Sequence, residues 1–181
     1  MDRNNLIQQL QNYKTAYSRE KEFIPAFLQL LNNYNNCYDR SLEHGHITGS
    51  SWIIDQSKKY VLLTHHQKLD KWLQLGGHAD GDENVQNVAF REAEEESGLK
   101  KIRLLKSGIF DIDIHTIPAR KGEQEHLHYD IRYLFEADRS EPLSINHESK
   151  ALEWVALDEI SDKVNRNDSI IRMVEKSARI N

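Results

Sequence analysis

The sequence predicts an α+β chain in which a mixed β-sheet is packed between helices. Apolar residues recur at helical spacing near both ends of the chain, and alternating strand-like runs fill much of the middle. At least two pairs of these runs lie close enough to form hairpins, and βαβ repeats are few, which argues against a doubly wound parallel sheet.

Taken in order, residues 6 to about 36 read as helix: Leu6, Leu10, Tyr13 and Tyr17 follow helical spacing, as do Phe23, Phe27, Leu31 and Tyr34. Pro25 is expected in the first turn of a second helix, where its missing N–H costs least. The polar run at 32–36 then weakens the pattern. Residues 1–42 are expected to form a helical extension and 43–181 the principal domain. From His46 the texture changes, and 47–54 and 60–64 read as strands around a turn at 55–59. A glycine-bearing loop at 76–82 leads into a helix from about 84 to 97, which Gly98 ends. Strands are expected near 102–114, 127–137 and 152–156. A last helix, from about 168, places Ile170, Ile171, Val174 and Ala178 on one side.

At 181 residues the chain fits one domain. No run approaches the roughly 20 apolar residues that cross a bilayer. The N-terminal residues MDRNNLIQQLQ lack the apolar segment of a secretory signal, so a cytoplasmic setting without a membrane partner is expected. The single cysteine, Cys37, excludes an intramolecular disulfide and any multi-cysteine zinc or redox motif. A net charge of −5 speaks against general nucleic-acid binding, but it admits a small anionic substrate screened by a metal ion.

The helix at 84–97 breaks its own pattern. Val85, Val88 and Ala89 share a face that continues into Glu92, Glu95 and Glu96, so an apolar stripe becomes a carboxylate stripe. Like charges at these spacings repel, and acidic groups near a helix C-terminus oppose its dipole. A solvated acidic face paired with Arg91 is the plain explanation. A hard cation such as Mg²⁺, which takes carboxylate oxygens and bridges to phosphates, is the functional one.

With its preceding loop the segment reads Gly77-x5-Glu83-x7-Arg91-Glu92-Ala93-x-Glu95-Glu96-x-Gly98-Leu99. This resembles the full signature of the Nudix hydrolases, with Ala93 where the family usually carries a larger aliphatic residue. Trp72 with Gly76-Gly77, Glu153-Trp154 and the stretch 157–160 are similar to other recurring features, so the likeness covers roughly 46–178. The histidine-rich stretches starting at His65 and His126 resemble a bacterial subgroup of unassigned substrate. The resemblance implies an α/β/α sandwich and a Mg²⁺-dependent pyrophosphohydrolase, with Mn²⁺ as an alternative ion, cleaving a nucleoside diphosphate derivative. It also implies Glu92, Glu95, Glu96 and the Gly76 carbonyl as metal ligands, and an Arg91–Glu83 ion pair that orients the helix. Glu148, six residues before Trp154, has a spacing similar to that of a further catalytic or metal-binding glutamate in some members. Glu95, Glu96 and Glu148 stay open as the general base. Two other roles fit the same fold: a non-catalytic nucleotide sensor, which typically loses the box carboxylates kept here, and an RNA 5′-end hydrolase. Isopentenyl diphosphate isomerases use a core cysteine, whereas Cys37 falls in the helical extension.

His126, His128 and Asp130 alternate along a strand and, with Arg132, form a polar face opposite Leu127, Tyr129, Ile131 and Tyr133. That face reads as a wall contacting substrate, as a second metal site, or as an ordinary polar surface. His65, His66 and His78 flank the glycine loop. Asp80 and Asp82 suit local turn hydrogen bonds, Trp72 suits an anchor for the loop, and Cys37 a small apolar filler. Lys100, Lys101, Arg103 and Lys106 read as a solvated basic run. The aromatic residues at 13–27 with Leu31 either cover the sheet or offer a homodimer surface or lid.

Overall fold

The computed structural model describes residues 2–120, 122 and 124–180. In chain order the described elements are α1 (Arg3–Asn12), α2 (Ser18–Asn33), β1 (Gly45–Asp55), β2 (Tyr60–His66), β3 (Lys71–Leu73), β4 (Leu75–His78) and α3 (Val85–Ser97). They are followed by β5 (Arg103–Leu104), β6 (Asp111–Ile117), β7 (His126–Ala137), β8 (Ser149–Ala156), α4 (Ile160–Lys163) and α5 (Asp168–Ser177).

β1 is the spine, buried along its whole length. One edge runs parallel to β7 over the full strand, from Gly45 opposite Leu127 to Asp55 opposite Ala137. The other edge is shared: Thr48–Ser51 pair with β4, while Ile54 pairs with Val61 of β2. β2 continues to β3 and β8, and β7 continues to β5 and β6, all antiparallel. The sheet is therefore mixed, as expected. Because β4 and β2 take different stretches of the same β1 edge, they diverge, and a cleft opens between them.

Period-two alternation sorts the core into two layers. Ile47, Ile53, Leu62, Ile131, Tyr133 and Phe135 pack with residues of α1, α2 and α3. Trp52, Ile54, Val61, Leu63 and Leu134 pack on the opposite face with Ile160, Ile170 and Met173 of α4 and α5. Phe23, Phe27 and Leu31 lie in the first layer, so the N-terminal helices cover the sheet and share its core. Cys37 is fully buried there as a filler. Among the described residues no helix is long and apolar enough to cross a membrane.

Four local expectations are corrected. The helical pattern at 6–36 is interrupted between α1 and α2, and Tyr13 and Tyr17 fall in the break. There Thr15 Oγ1 accepts from the Tyr17 N–H, and the Tyr13 and Thr15 hydroxyls both donate to the buried Glu20 carboxylate. Pro25 lies well inside α2, which starts at Ser18, and burial of Phe23, Phe27, Leu30 and Leu31 holds the helix through it. The strand expected at 102–114 is two, β5 and β6, both on one edge of β7, with 105–110 looping out and turning at Gly108 (φ 84°). The glycine loop begins as strand, since Gly76, Gly77 and His78 belong to β4.

Candidate active site

α3 is held at both ends by its own sequence. The Asn84 side chain accepts from the Asn87 N–H at 3.2 Å, and Gly98 adopts the left-handed conformation (φ 74°) with its N–H on the Glu94 carbonyl. Val85, Val88, Ala89 and Ala93 are fully buried against the sheet. Gly49 of β1 permits that approach, because a Cβ there would stand 2.8 Å from the Val85 carbonyl oxygen. Seating the apolar face delivers the acidic continuation to β4. Glu96 is 5% exposed, and its Oε1 accepts from the Gly76 N–H at 3.0 Å. A Cβ on Gly77 would lie 2.5 Å from Glu92 Oε2. Gly77 is thus what lets Glu92 press against the strand, while Gly76, where a Cβ would meet Ser50 and the Gly49 carbonyl, lets β4 lie close on β1.

Those carboxylates are costly as anions. Burial pushes the Glu96 carboxyl up to about 8; the Gly76 N–H opposes this, and the charges of Glu92, Glu148 and Glu95 add to it. Burial likewise raises Glu92, against the hydrogen bond and charge of Arg91 and with the charges of Glu95 and Glu148. Arg91 fans across Asp82 (4.0 Å), Glu92 (3.4 Å) and Glu95 (3.9 Å). The expected Arg91–Glu83 pair is not formed. Glu83 instead takes the Arg3 side chain at 3.5 Å and its backbone N–H at 3.1 Å, so the N-terminal helix holds the position that Arg91 was expected to hold.

Glu92, Glu95, Glu96, Gly76 and Glu148 line one cavity of about 440 Å³ with Thr48, Ser50, His66, His78, His115, His126, His128 and Asp130. The parallel register explains the far wall. His46 stands opposite His128, Thr48 opposite Asp130 and Ser50 opposite Arg132, so the even positions of β1 and β7 share one face. Further along these strands Trp52, Ile54 and Leu134 on that face are covered by α5; at 48–50 and 126–130 it is polar and lines the cavity, with His46 buried beside it. Asp130 accepts from Thr48, Ser50, Gln74 and Arg132, which fixes its carboxylate completely.

The polar face read at 126–132 divides. His126, His128 and Asp130 line the cavity, but Arg132 does not. Its guanidinium is 3% exposed and held by Asp130 (2.7 Å), Asp111 (3.1 Å) and Asp113 (3.4 Å), so it reaches the site only through Asp130. His66 and His78 line the cavity, whereas His65 bonds Asp70 and stacks on Trp72. Trp72 packs on the second core layer beneath the Lys163 ammonium, an anchor as expected. Asp82 accepts from the Asn84 N–H, as turn chemistry requires, but Asp80 is gripped bidentately by Arg40 at 2.7 and 2.6 Å. Arg103 pairs with Glu136, so the basic run is not wholly a solvated face. Sequence reasoning passed over His46, which is 2% exposed beside these histidines. The available signal was the switch at even positions of the first strand, polar at 46, 48 and 50 and apolar at 52 and 54.

His46, His78 and His128 are held toward the neutral form. Burial pushes His78 down to about 4, with the Arg40 and His46 charges adding, and His128 down to about 2, with His78 and His115 adding. His46 is lowered by burial and by His126.

A family model of the NUDIX domain matches residues 46–174. A curated protein of Lactococcus lactis subsp. cremoris, named "Probable DHNTP pyrophosphohydrolase", is 28% identical over 140 residues, covering 76% of this chain and 81% of that one. A NUDIX-family hydrolase structure from Clostridium perfringens is similar at 26% identity and a TM-score of 0.53, covering 74% and 96%. An Ap4A hydrolase from C. elegans shares the fold at 17% identity and a TM-score of 0.56, covering 72% and 95%. Fold and carboxylate-bearing helix define a hydrolase acting on phosphoric anhydride bonds. The chain belongs to the Nudix family.

Proposed function

We propose that this chain hydrolyses the diphosphate linkage of a nucleoside diphosphate derivative, with Mg²⁺, or alternatively Mn²⁺, held by Glu92, Glu95, Glu96 and the Gly76 carbonyl. One observation carries the reading: two mutually repelling, largely buried carboxylates face a cavity beside the Gly76-Gly77 stretch of β4, with one backbone N–H and Arg91 as their donors. Such a donor set suits a hard cation and is expensive without one. When bound, the ion neutralises phosphate oxygens and lowers the pKa of its water.

The remaining work falls to the chain. The Gly76 N–H fixes the Glu96 carboxylate, and Arg91 restrains Glu92 and Glu95. Glu148 adds a partly exposed carboxylate on the cavity wall, which supports its candidacy beside Glu95 and Glu96 for taking up the proton released at the site. His126 and His128 form the wall against the substrate, while Arg132 positions Asp130 in its floor. The 1–42 extension contributes Arg3 as the strut on Glu83.

The test is release of phosphorylated product from dihydroneopterin triphosphate, diadenosine tetraphosphate, ADP-ribose, NAD(H), nucleotide sugars, nucleoside triphosphates and capped RNA. Each is assayed with Mg²⁺ or Mn²⁺ and again in EDTA. Turnover of at least one, abolished by EDTA, is expected. Turnover that persists in EDTA, or none across the panel, overturns the reading. Preference for capped RNA would shift it to RNA 5′ ends.

A further inference from the structure

We propose that His46, His78 and His128 form a binding site for a divalent transition ion of the zinc class, distinct from the carboxylate cluster on the same cavity. The three residues come from adjacent strands β1, β4 and β7. Register sets His46 directly opposite His128, and His78 opposite Thr48, one pleat further along the same face. Each offers a ring nitrogen, and the three nitrogens lie within 4.8 Å of one another. Tetrahedral zinc–imidazole geometry, with bonds of about 2.0–2.1 Å, needs nitrogens roughly 3.3 Å apart. Binding would draw the three nitrogens together by rotation of the side chains.

His46 supplies the independent observation. It is 2% exposed, yet neither of its ring nitrogens makes a well-aligned hydrogen bond, and only the Leu42 backbone comes close to one of them. A buried polar atom left unsatisfied costs about 1–3 kcal/mol, and a nitrogen lone pair directed at a metal removes one such cost. The rings of His78, His126 and His128 stand 5.0–5.1 Å from it, so the unsatisfied nitrogens sit among other imidazoles.

His126 fits the same scheme. Its Nδ1 lies 2.8 Å from the Gln124 carbonyl oxygen, which only accepts, so Nδ1 carries the proton. In the neutral ring Nε2 is then a lone pair, and it stands 3.3 Å from His128 Nε2. A carbonyl behind one nitrogen and a free lone pair on the other is how metal-binding histidines are usually oriented. His126 is the fourth ligand, or it borders a fourth position open to the cavity. Imidazole favours zinc, cobalt or nickel, whereas Mg²⁺ favours the carboxylate oxygens, so the two sites sort ions by chemistry.

The site does not depend on the hydrolase reading, and binding tests it without turnover. The full chain, stripped with EDTA and returned to millimolar Mg²⁺ to occupy the carboxylates, is titrated with Zn²⁺ in a calorimeter and with Co²⁺ in a spectrophotometer. One Zn²⁺ per chain and the visible bands of tetrahedral Co²⁺ are expected. Glu96→Gln should keep the affinity within about threefold, and His78→Asn or His128→Gln should weaken it by about 100-fold or more. Failure of the wild-type chain to bind stoichiometrically overturns the proposal. So does wild-type affinity in both histidine variants, or a loss confined to Glu96→Gln. If circular dichroism shows His128→Gln misfolded, His78→Asn, at the cavity wall, decides with the wild-type cobalt spectrum.

Discussion

Glu96 is both a liability and the centre of the site. Its carboxyl is buried and faces other carboxylates, and these together outweigh the Gly76 hydrogen bond and penalise the anion without a cation. Glu96→Gln keeps the shape and removes the charge. It should lower kcat by at least about 100-fold and leave the metal-free melting temperature unchanged or higher, because the repulsion goes with the charge. Steady-state rates with a verified substrate, paired with calorimetric melting in EDTA, check both halves; a wild-type rate would refute the metal assignment. Gly77 allows a subtler experiment. An alanine Cβ would stand 2.5 Å from Glu92 Oε2, and the neighbour that must yield is the end of a flexible side chain. Gly77→Ala should therefore fold normally while displacing Glu92, raising the Mg²⁺ concentration for half-maximal activity by about tenfold. An unchanged Mg²⁺ dependence would show that Glu92 does not need this close seat.

At the scale of elements, α3 works because its ends are fixed. Gly98 takes a backbone conformation that other residues rarely adopt, and a Cβ there would meet the Ser144 side chain at 2.6 Å. Gly98→Ala should cost about 1–2 kcal/mol, read as a lower urea midpoint with unchanged slope. A loss below 0.5 kcal/mol, on the order of a surface substitution, would show that the cap does not constrain the helix. α3 was also the most legible element, since its cap, apolar stripe, acidic continuation and terminating glycine all lie within one short stretch. Strands β1, β2 and β7 were legible for a similar reason: alternation is local. Partnership was not. His46 and His128 meet through a parallel register between segments 82 positions apart, and Arg3 reaches Glu83 across 80. No spacing rule covers either contact. Periodicity was incomplete at α5: Ile170, Ile171 and Val174 pack on the second core layer as expected, but Ala178 is exposed and Arg172, 7% exposed, is turned inward.

That inward arginine belongs to the device that joins the whole molecule. Asp111 on β6 receives Arg172 at 2.8 Å, Lys176 at 2.7 Å and Arg132 at 3.1 Å, and Lys176 also holds Glu20 of α2 at 2.5 Å. One buried cluster thus ties the N-terminal helices, the sheet and α5 together, and through Arg132 and Asp130 it underlies the floor of the cavity. Burial raises the Asp111 carboxyl, but the Arg172 hydrogen bonds and the charges of Arg132 and Lys176 outweigh it and hold it below the usual range; Asp113 is held down mainly by Arg132, against burial. A carboxylate depressed in the folded state stabilises fully above its unfolded pKa, near 4, and loses that contribution as pH falls toward its folded value. Stability should therefore be nearly flat from pH 7 to about 5 with respect to these groups, then decline steadily in acid. Asp111→Asn leaves three cations without their shared anion, and it should cost about 3–5 kcal/mol at neutral pH. Because protonation of Asp111 does to the wild type what the substitution does at any pH, the two chains should converge as the pH approaches 2. Urea midpoints measured for both from pH 7 to pH 2 decide the matter: a gap that stays constant into acid would mean that the carboxylate charge is not what holds these layers together.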